Sequence, residues 1–166
     1  MTPACPLATV LYRFDDAARF PVFESHTTVK APVAVHADRD VAGDFLRITY
    51  QRQDDDADEV TIVFALPIVA VDGRPRQLLL DVFGDAGGCH LHLEVMDGRG
   101  SLLVLPFGLV DFAGWRTLRA DASKLESPIQ FLRLRLTTAR STSTVRLGLR
   151  SLSMTGIVRV AAAGIT

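Results

Sequence analysis

The amino-acid sequence predicts an all-β fold built from two packed antiparallel sheets. Short runs of apolar and β-branched residues recur along the 166-residue chain at the intervals expected of a sandwich. Asp-Gly and Gly-Asp pairs, which favour tight turns, separate several of these runs. No segment has the apolar period of an amphipathic helix of normal length. Because the alternating runs each have one apolar face, two sheets that face each other bury those faces together.

The predicted strands follow one another with short interruptions. They span residues 10–14, 27–36, 45–51, 60–71 with a break at Pro67, 78–83, 90–96, 101–107, 115–120, 131–136 and 145–149. Asp72-Gly73 and Asp97-Gly98 are predicted turns, the acidic run 54–59 a solvated hairpin tip, and 137–144 a loop. We expect a single domain over residues 1–166, with loose ends at 1–8 and 159–166.

Strict alternation assigns the faces of the later strands. In the run 90–96, His90, His92 and Glu94 point to one side and the apolar residues between them to the other. The alternation predicts that eight apolar side chains share one core: Leu91, Leu93, Val95, Leu132, Leu134, Leu136, Leu147 and Leu149. It places Phe131 with Arg133 and Arg135 on the opposite, polar side.

Composition and motifs exclude several classes of function. The formal net charge is −1, so long-range attraction to nucleic acid is not expected. No apolar run approaches the ~18 residues of a membrane-spanning helix, and the start of the chain lacks a signal-peptide pattern. No nucleophile elbow, phosphate-binding loop or zinc-protease motif is present, so we expect no catalytic residue and no cofactor. The spacing of Cys5 and Cys89 leaves open whether they pair.

A resemblance to a known family rests on residues 80–85, on Asp97-Gly98, on the stretch Asp111-Phe112-Ala113-Gly114-Trp115-Arg116 and on the arginine-rich strand that follows. Over about residues 75–155 the chain resembles the galactose-binding-like jelly rolls. These occur as carbohydrate-binding modules and as accessory domains of bacterial secreted and membrane-anchored proteins. The resemblance implies a jelly-roll sandwich, a non-catalytic binding module with carbohydrate as ligand, an extracellular or cell-surface location, and other domains of a parent protein as partners.

The resemblance also bears on calcium and on the one tryptophan. Such modules commonly hold a structural calcium between a carboxylate near the first strand, here Asp15 or Asp16, and an acid in the last strand. The last strand here has Arg150-Ser151 at that place, so we expect no bound metal. In this family the tryptophan of the stretch that corresponds to Gly114-Trp115-Arg116 is usually structural. Trp115 is therefore expected to pack between the sheets, with Tyr50 and Phe112 also in the core.

The candidate binding residues are His90, His92, Glu94, Arg133 and Arg135. Imidazole and carboxylate groups make the directional hydrogen bonds that sugar hydroxyls need, and guanidinium groups pair with the carboxylates of acidic sugars. The alternative is an ordinary solvated strand face, on which the arginines pair with Glu94, Asp81 or Asp121 and stabilise by only ~0–1 kcal/mol. Arg146 and Arg150 join this face only if their strand lies in the same sheet. A structural or interaction domain without a small ligand is the second functional hypothesis.

Overall fold

The computed structural model describes residues 8–15, 22–23, 34–40, 43–51, 60–67, 69–138 and 144–162. Eleven strands lie within these ranges: β1 Thr9–Arg13, β2 Val22–Phe23, β3 Ala34–Asp40, β4 Gly43–Gln51, β5 Val60–Ala65, β6 Val69–Asp85, β7 Cys89–Met96, β8 Leu102–Val110, β9 Ala113–Asp121, β10 Ile129–Thr138 and β11 Thr144–Ala162. In this part of the chain, no helix is long and apolar enough to cross a membrane. The all-β prediction is confirmed.

All strand pairs are antiparallel, and the sheet folds into two layers. The first layer has the order β9-β6-β11-β4-β3, with β1 also paired to β11. The second layer has the order β2-β5-β10-β7-β8. The start of β6 joins the layers, because Ala70 and Val71 pair with the start of β10. The core lies between the layers, where the rings of Tyr12 on β1 and Phe131 on β10 meet edge to face at 6.1 Å.

Seven of the eight predicted core side chains are buried, and Leu132 is the exception. A β-bulge lies between Phe131, which pairs with Val95, and Arg133, which pairs with Glu94. Because a bulge inserts one extra residue, the alternation before it is inverted. Phe131 is therefore fully buried in the core and Leu132 only half-buried, the reverse of the prediction for these two residues.

Two predicted boundaries are wrong because β6 and β11 are long. The predicted turn at Asp72-Gly73 lies inside β6, where Gly73 has a φ of +115° and pairs with Val158. A side chain on Gly73 would place its Cβ 2.1 Å from the carbonyl oxygen of Ile157, so the close approach requires glycine. Residues 159–162, expected to be loose, pair with β6 as part of β11. The acidic run 54–59, residues 139–143 of the predicted loop, and Cys5 lie outside the described residues.

Candidate functional site

Strands β7 and β10 are neighbours, and their register brings the five predicted binding residues together. Arg133 pairs with Glu94, and Arg135 with His92, while His90 lies two residue pairs further along, opposite Thr137. All five side chains lie on the outer face of the second layer, because the core side of β7 is formed by Leu91, Leu93 and Val95. Arg146 and Arg150 belong to β11 in the first layer, so they do not join this face.

Glu94 and the two arginines form a compact triad. Nε of Arg133 lies 2.6 Å from Oε2 of Glu94, and a terminal nitrogen of Arg135 donates a hydrogen bond to Oε1. The Glu94 side chain is only 3% exposed, whereas the arginine side chains are 36% and 32% exposed. The expectation of a fully solvated face is therefore wrong at Glu94. Two cations and one anion leave the triad with a net charge of +1, and its ion pairs are not the exposed kind that stabilise by only ~0–1 kcal/mol.

Histidines continue the polar line along β7. His90 is exposed and His92 half-buried, and their rings stack at 6.4 Å with an angle of 26°. Burial lowers the pKa of His92 below its ordinary value of 6.5, and the positive charges of His90 and Arg135 lower it further. His92 is therefore neutral at neutral pH, and protonation near pH 6, as expected from an ordinary imidazole, is shifted to more acidic conditions. Its Nδ1 atom is buried without a hydrogen-bond partner in the described part of the chain.

An apolar border flanks the polar residues, and the sequence analysis missed it. In the pairing of β7 with β8, Val104 lies opposite Glu94, Pro106 opposite His92, and Leu102 opposite Met96. Leu102 and Val104 are 53% and 49% exposed. The sequence contained a pattern that could have revealed this border, because Leu102, Val104 and Pro106 occupy every second position of β8 and alternate with more buried residues. The face therefore combines a charged centre with an exposed apolar edge.

The structure offers no three-ligand metal cluster of His, Cys, Asp and Glu among the described residues. Glu94, the carboxylate on the same face of β7 as His90 and His92, forms ion pairs with two arginines. The N–H of Phe14 donates a hydrogen bond to the carbonyl of Arg150 at 2.9 Å. Asp15, the next residue, therefore follows β1 close to the last-strand position at which the resembling modules have their calcium-binding acid. Asp16 lies outside the described residues.

Trp115 lies on the outer face of the first layer, so its predicted position between the sheets is wrong. It is half-buried, with its ring 5.2 Å from Phe45 and 5.4 Å from Phe83 in edge-to-face geometry. The guanidinium of Arg150 lies 3.9 Å above the indole ring. The face follows from register, because Trp115 pairs with Phe83 while the neighbouring Val82 points into the core. Of the other aromatic residues assigned to the core, Tyr50 and Phe112 are buried there as predicted.

Comparison with solved structures shows the fold. The family 11 carbohydrate-binding module from Clostridium thermocellum, solved in complex with a β-1,3-1,4-mixed-linked tetrasaccharide, matches with a TM-score of 0.60 at 10% identity, covering 92% of this chain and 98% of that one. The family 11 module of the cellulosomal cellulase Lic26A-Cel5E of Clostridium thermocellum matches with a TM-score of 0.57 at 11% identity, over 93% and 97%. No family model and no curated protein sequence matches. The chain thus has the jelly-roll fold of carbohydrate-binding modules, and the predicted jelly-roll sandwich is confirmed.

Proposed function

We propose that this domain is a non-catalytic carbohydrate-binding module whose ligand lies on the outer face of β7 and β10. The observation that carries the proposal is the triad of Glu94, Arg133 and Arg135, which lies beside His92 on a jelly-roll sheet. The fold shared with a module that was solved in complex with a glycan supports this class of function, and the triad supports the location of the binding surface. By the family resemblance, the domain acts outside the cell or at its surface as part of a larger protein.

The triad is suited to an acidic sugar. Each guanidinium has five N–H donors in a planar fork, and Glu94 occupies only part of them. Because Glu94 is buried beneath the arginines, it holds both guanidinium groups in place before a ligand arrives, which lowers the entropic cost of binding. The net charge of +1 favours a carboxylate or sulfate, which a guanidinium can bind through two parallel hydrogen bonds. His92, neutral at neutral pH, contributes hydrogen bonds to hydroxyls rather than charge.

The apolar edge of β8 completes the surface. Sugar rings have apolar C–H faces as well as hydroxyls, and a binding surface for them combines a few directed polar groups with apolar contact. Leu102 and Val104 supply exposed apolar area next to the triad. The proposed ligand therefore lies across β8, β7 and β10, with its acidic group at the arginines and a ring face over β8.

Calorimetric titration with matched acidic and neutral glycans tests the proposal. Trigalacturonic acid should bind at least tenfold more tightly than β-1,4-galactotriose, a difference of about 1.4 kcal/mol or more. Its affinity should fall as salt rises and increase in acid, as the pH falls through the lowered pKa of His92, which then gains a proton beside His90, Glu94, Arg133 and Arg135. The variant Arg135→Lys keeps the charge that neutralises Glu94 but removes the planar fork, so it should weaken binding of the acidic glycan about tenfold.

Arg119→Lys is the matched control, because Arg119 is an exposed arginine of β9 in the first layer. It should leave the affinity unchanged. Equal affinity for the acidic and the neutral glycan, or an Arg135→Lys variant that binds like the wild type, would overturn the assignment of the surface. Failure of every glycan to bind would overturn the module proposal and favour a structural or interaction domain.

A further inference from the structure

A recess lies on the outer face of the first layer, on the opposite side of the sandwich from the triad. It is a cavity of about 230 Å³, lined by Asp81 of β6, by Trp115, Arg116 and Thr117 of β9, and by Arg150 of β11. Its volume is below the range of about 300–1,000 Å³ that is typical of sites for drug-sized ligands. The recess therefore fits one small ring rather than a chain of several residues.

Asp81 is a positioned acceptor at this recess. Its Oδ1 accepts a hydrogen bond from the Thr117 hydroxyl at 2.8 Å, and its Oδ2 accepts one from the Ser151 hydroxyl at 3.2 Å. Within the described residues, no arginine or lysine forms an ion pair with it. A carboxylate has about four acceptor positions, so the two hydroxyls leave about half of its capacity for a ligand.

The guanidinium of Arg150 is held against the aromatic wall of the recess. It lies 3.9 Å from the ring centre of Trp115, whereas the guanidinium of Arg116, which pairs with the inward-facing Val82, lies 4.3 Å from the ring centre of the buried Phe112. Such cation–π contacts restrict the side chains and present their planar groups in a defined direction. The wall formed by Trp115 is itself supported from behind by Phe45 and Phe83.

Gly148 makes this aromatic support possible. It pairs with Phe83 on one side and with Arg47 on the other, at the centre of the first layer. A Cβ at this position would lie 2.8 Å from Cβ of Phe83 and 3.1 Å from Cδ2 of Phe45. The two phenylalanine side chains therefore occupy space that any other residue at position 148 would fill.

We propose that this recess is a second ligand site, which takes one neutral, hydroxyl-rich ring such as a monosaccharide or the terminal residue of a glycan. A sugar hydroxyl can donate to Asp81 and accept from Arg150, so adjacent hydroxyls match an acceptor and a donor that lie on the same face of the sheet. Asp81 disfavours a ligand carboxylate at the same place through like-charge repulsion. Trp115 offers an apolar wall to the C–H groups of the ring. The inference stands independently of the proposed function of the triad.

The test uses Trp115 as its own reporter, because it is the only tryptophan of the chain. The full chain is titrated with the methyl β-glycosides of galactose, glucose and xylose while the indole N–H signal is followed by NMR and the emission by fluorescence. We expect at least one glycoside to shift the indole signal saturably. Oligosaccharides that end in the same sugar then separate a free monosaccharide from a terminal residue, since only a site for terminal residues binds both.

Two variants establish whether the recess is responsible. Asp81→Asn removes the charged acceptor, and Thr117→Val removes a hydroxyl at an exposed position with little change in shape. Each should weaken the response at least tenfold, whereas Arg119→Lys, at an exposed arginine of β9 that does not line the recess, should leave it unchanged. Absence of a saturable shift with all three glycosides, or a response that survives both variants, would overturn the site. Since the acidic glycan is tested through Arg135→Lys, failure of one proposal is distinguishable from failure of the other.

Discussion

Replacing the two arginines around Glu94 by uncharged side chains that still cover it should lower the free energy of unfolding of the domain. In the double variant Arg133→Met and Arg135→Met, the methionines retain most of the aliphatic cover that the arginine stems provide, whereas alanines would open Glu94 to water. Glu94 is 3% exposed, so its carboxylate is left buried and unpaired. Breaking a buried pair in this way costs about 3–5 kcal/mol. For a chain of this size, that corresponds to a decrease in Tm of roughly 6–20 °C.

A mutant cycle separates this cause from lost packing. Glu94→Gln alone should destabilise the wild type by about 1–3 kcal/mol, because two arginines then lie side by side without their anion. In the double methionine background the same change should stabilise, because it removes the unpaired charge. Urea unfolding followed by circular dichroism gives the four free energies, with the exposed Arg119→Met as a control that stays within about 0.5 kcal/mol. Glu94→Gln having the same sign in both backgrounds would refute the reasoning, as would a loss below about 1 kcal/mol in the double variant.

Three further predictions concern the core, a turn and metal. Leu134→Ala should cost ~2–5 kcal/mol in urea unfolding, whereas Leu132→Ala, at the bulge, should cost clearly less; equal losses would contradict the bulge. Burial raises the pKa of Asp97, but its hydrogen bonds from the Arg99 side chain and from the backbone N–H groups of Arg99 and Ser101 lower it, and the net pKa lies below the ordinary 3.8. Asp97 therefore contributes stability that is fully present above pH 3.8 and lost as the pH falls through the lowered pKa, so the Tm difference between wild type and Asp97→Asn should shrink in acid; a constant difference would argue against this. EDTA should leave the Tm unchanged, and a decrease that Ca²⁺ restores would instead point to Asp15 or Asp16.

At the candidate site, side-chain alternation predicted the face of each strand but not which strands are neighbours. The period of two placed His90, His92 and Glu94 on one face of β7 and the leucines on the other, and the structure agrees. Whether Arg133 and Arg135 lie beside them depended on which strands are neighbours. Neighbours in this fold are distant in sequence, as Arg135 and Glu94 are 41 residues apart. The burial of Glu94 beneath the arginines could not be predicted from the sequence either, because side chains of both strands together cover its carboxylate.

Side-chain alternation was enough to predict the all-β class and the inward faces of β7 and of most of β10 and β11, because alternation is a local property of an extended backbone. The tertiary structure set the bulge that buries Phe131 instead of Leu132, since a bulge is defined by the pairing with the partner strand. It also decided the position of Trp115, whose face follows from pairing with Phe83 across 32 residues and from the space left by Gly148. Register between distant segments is set by the packing of the whole sandwich, and no short stretch of the chain contains that information.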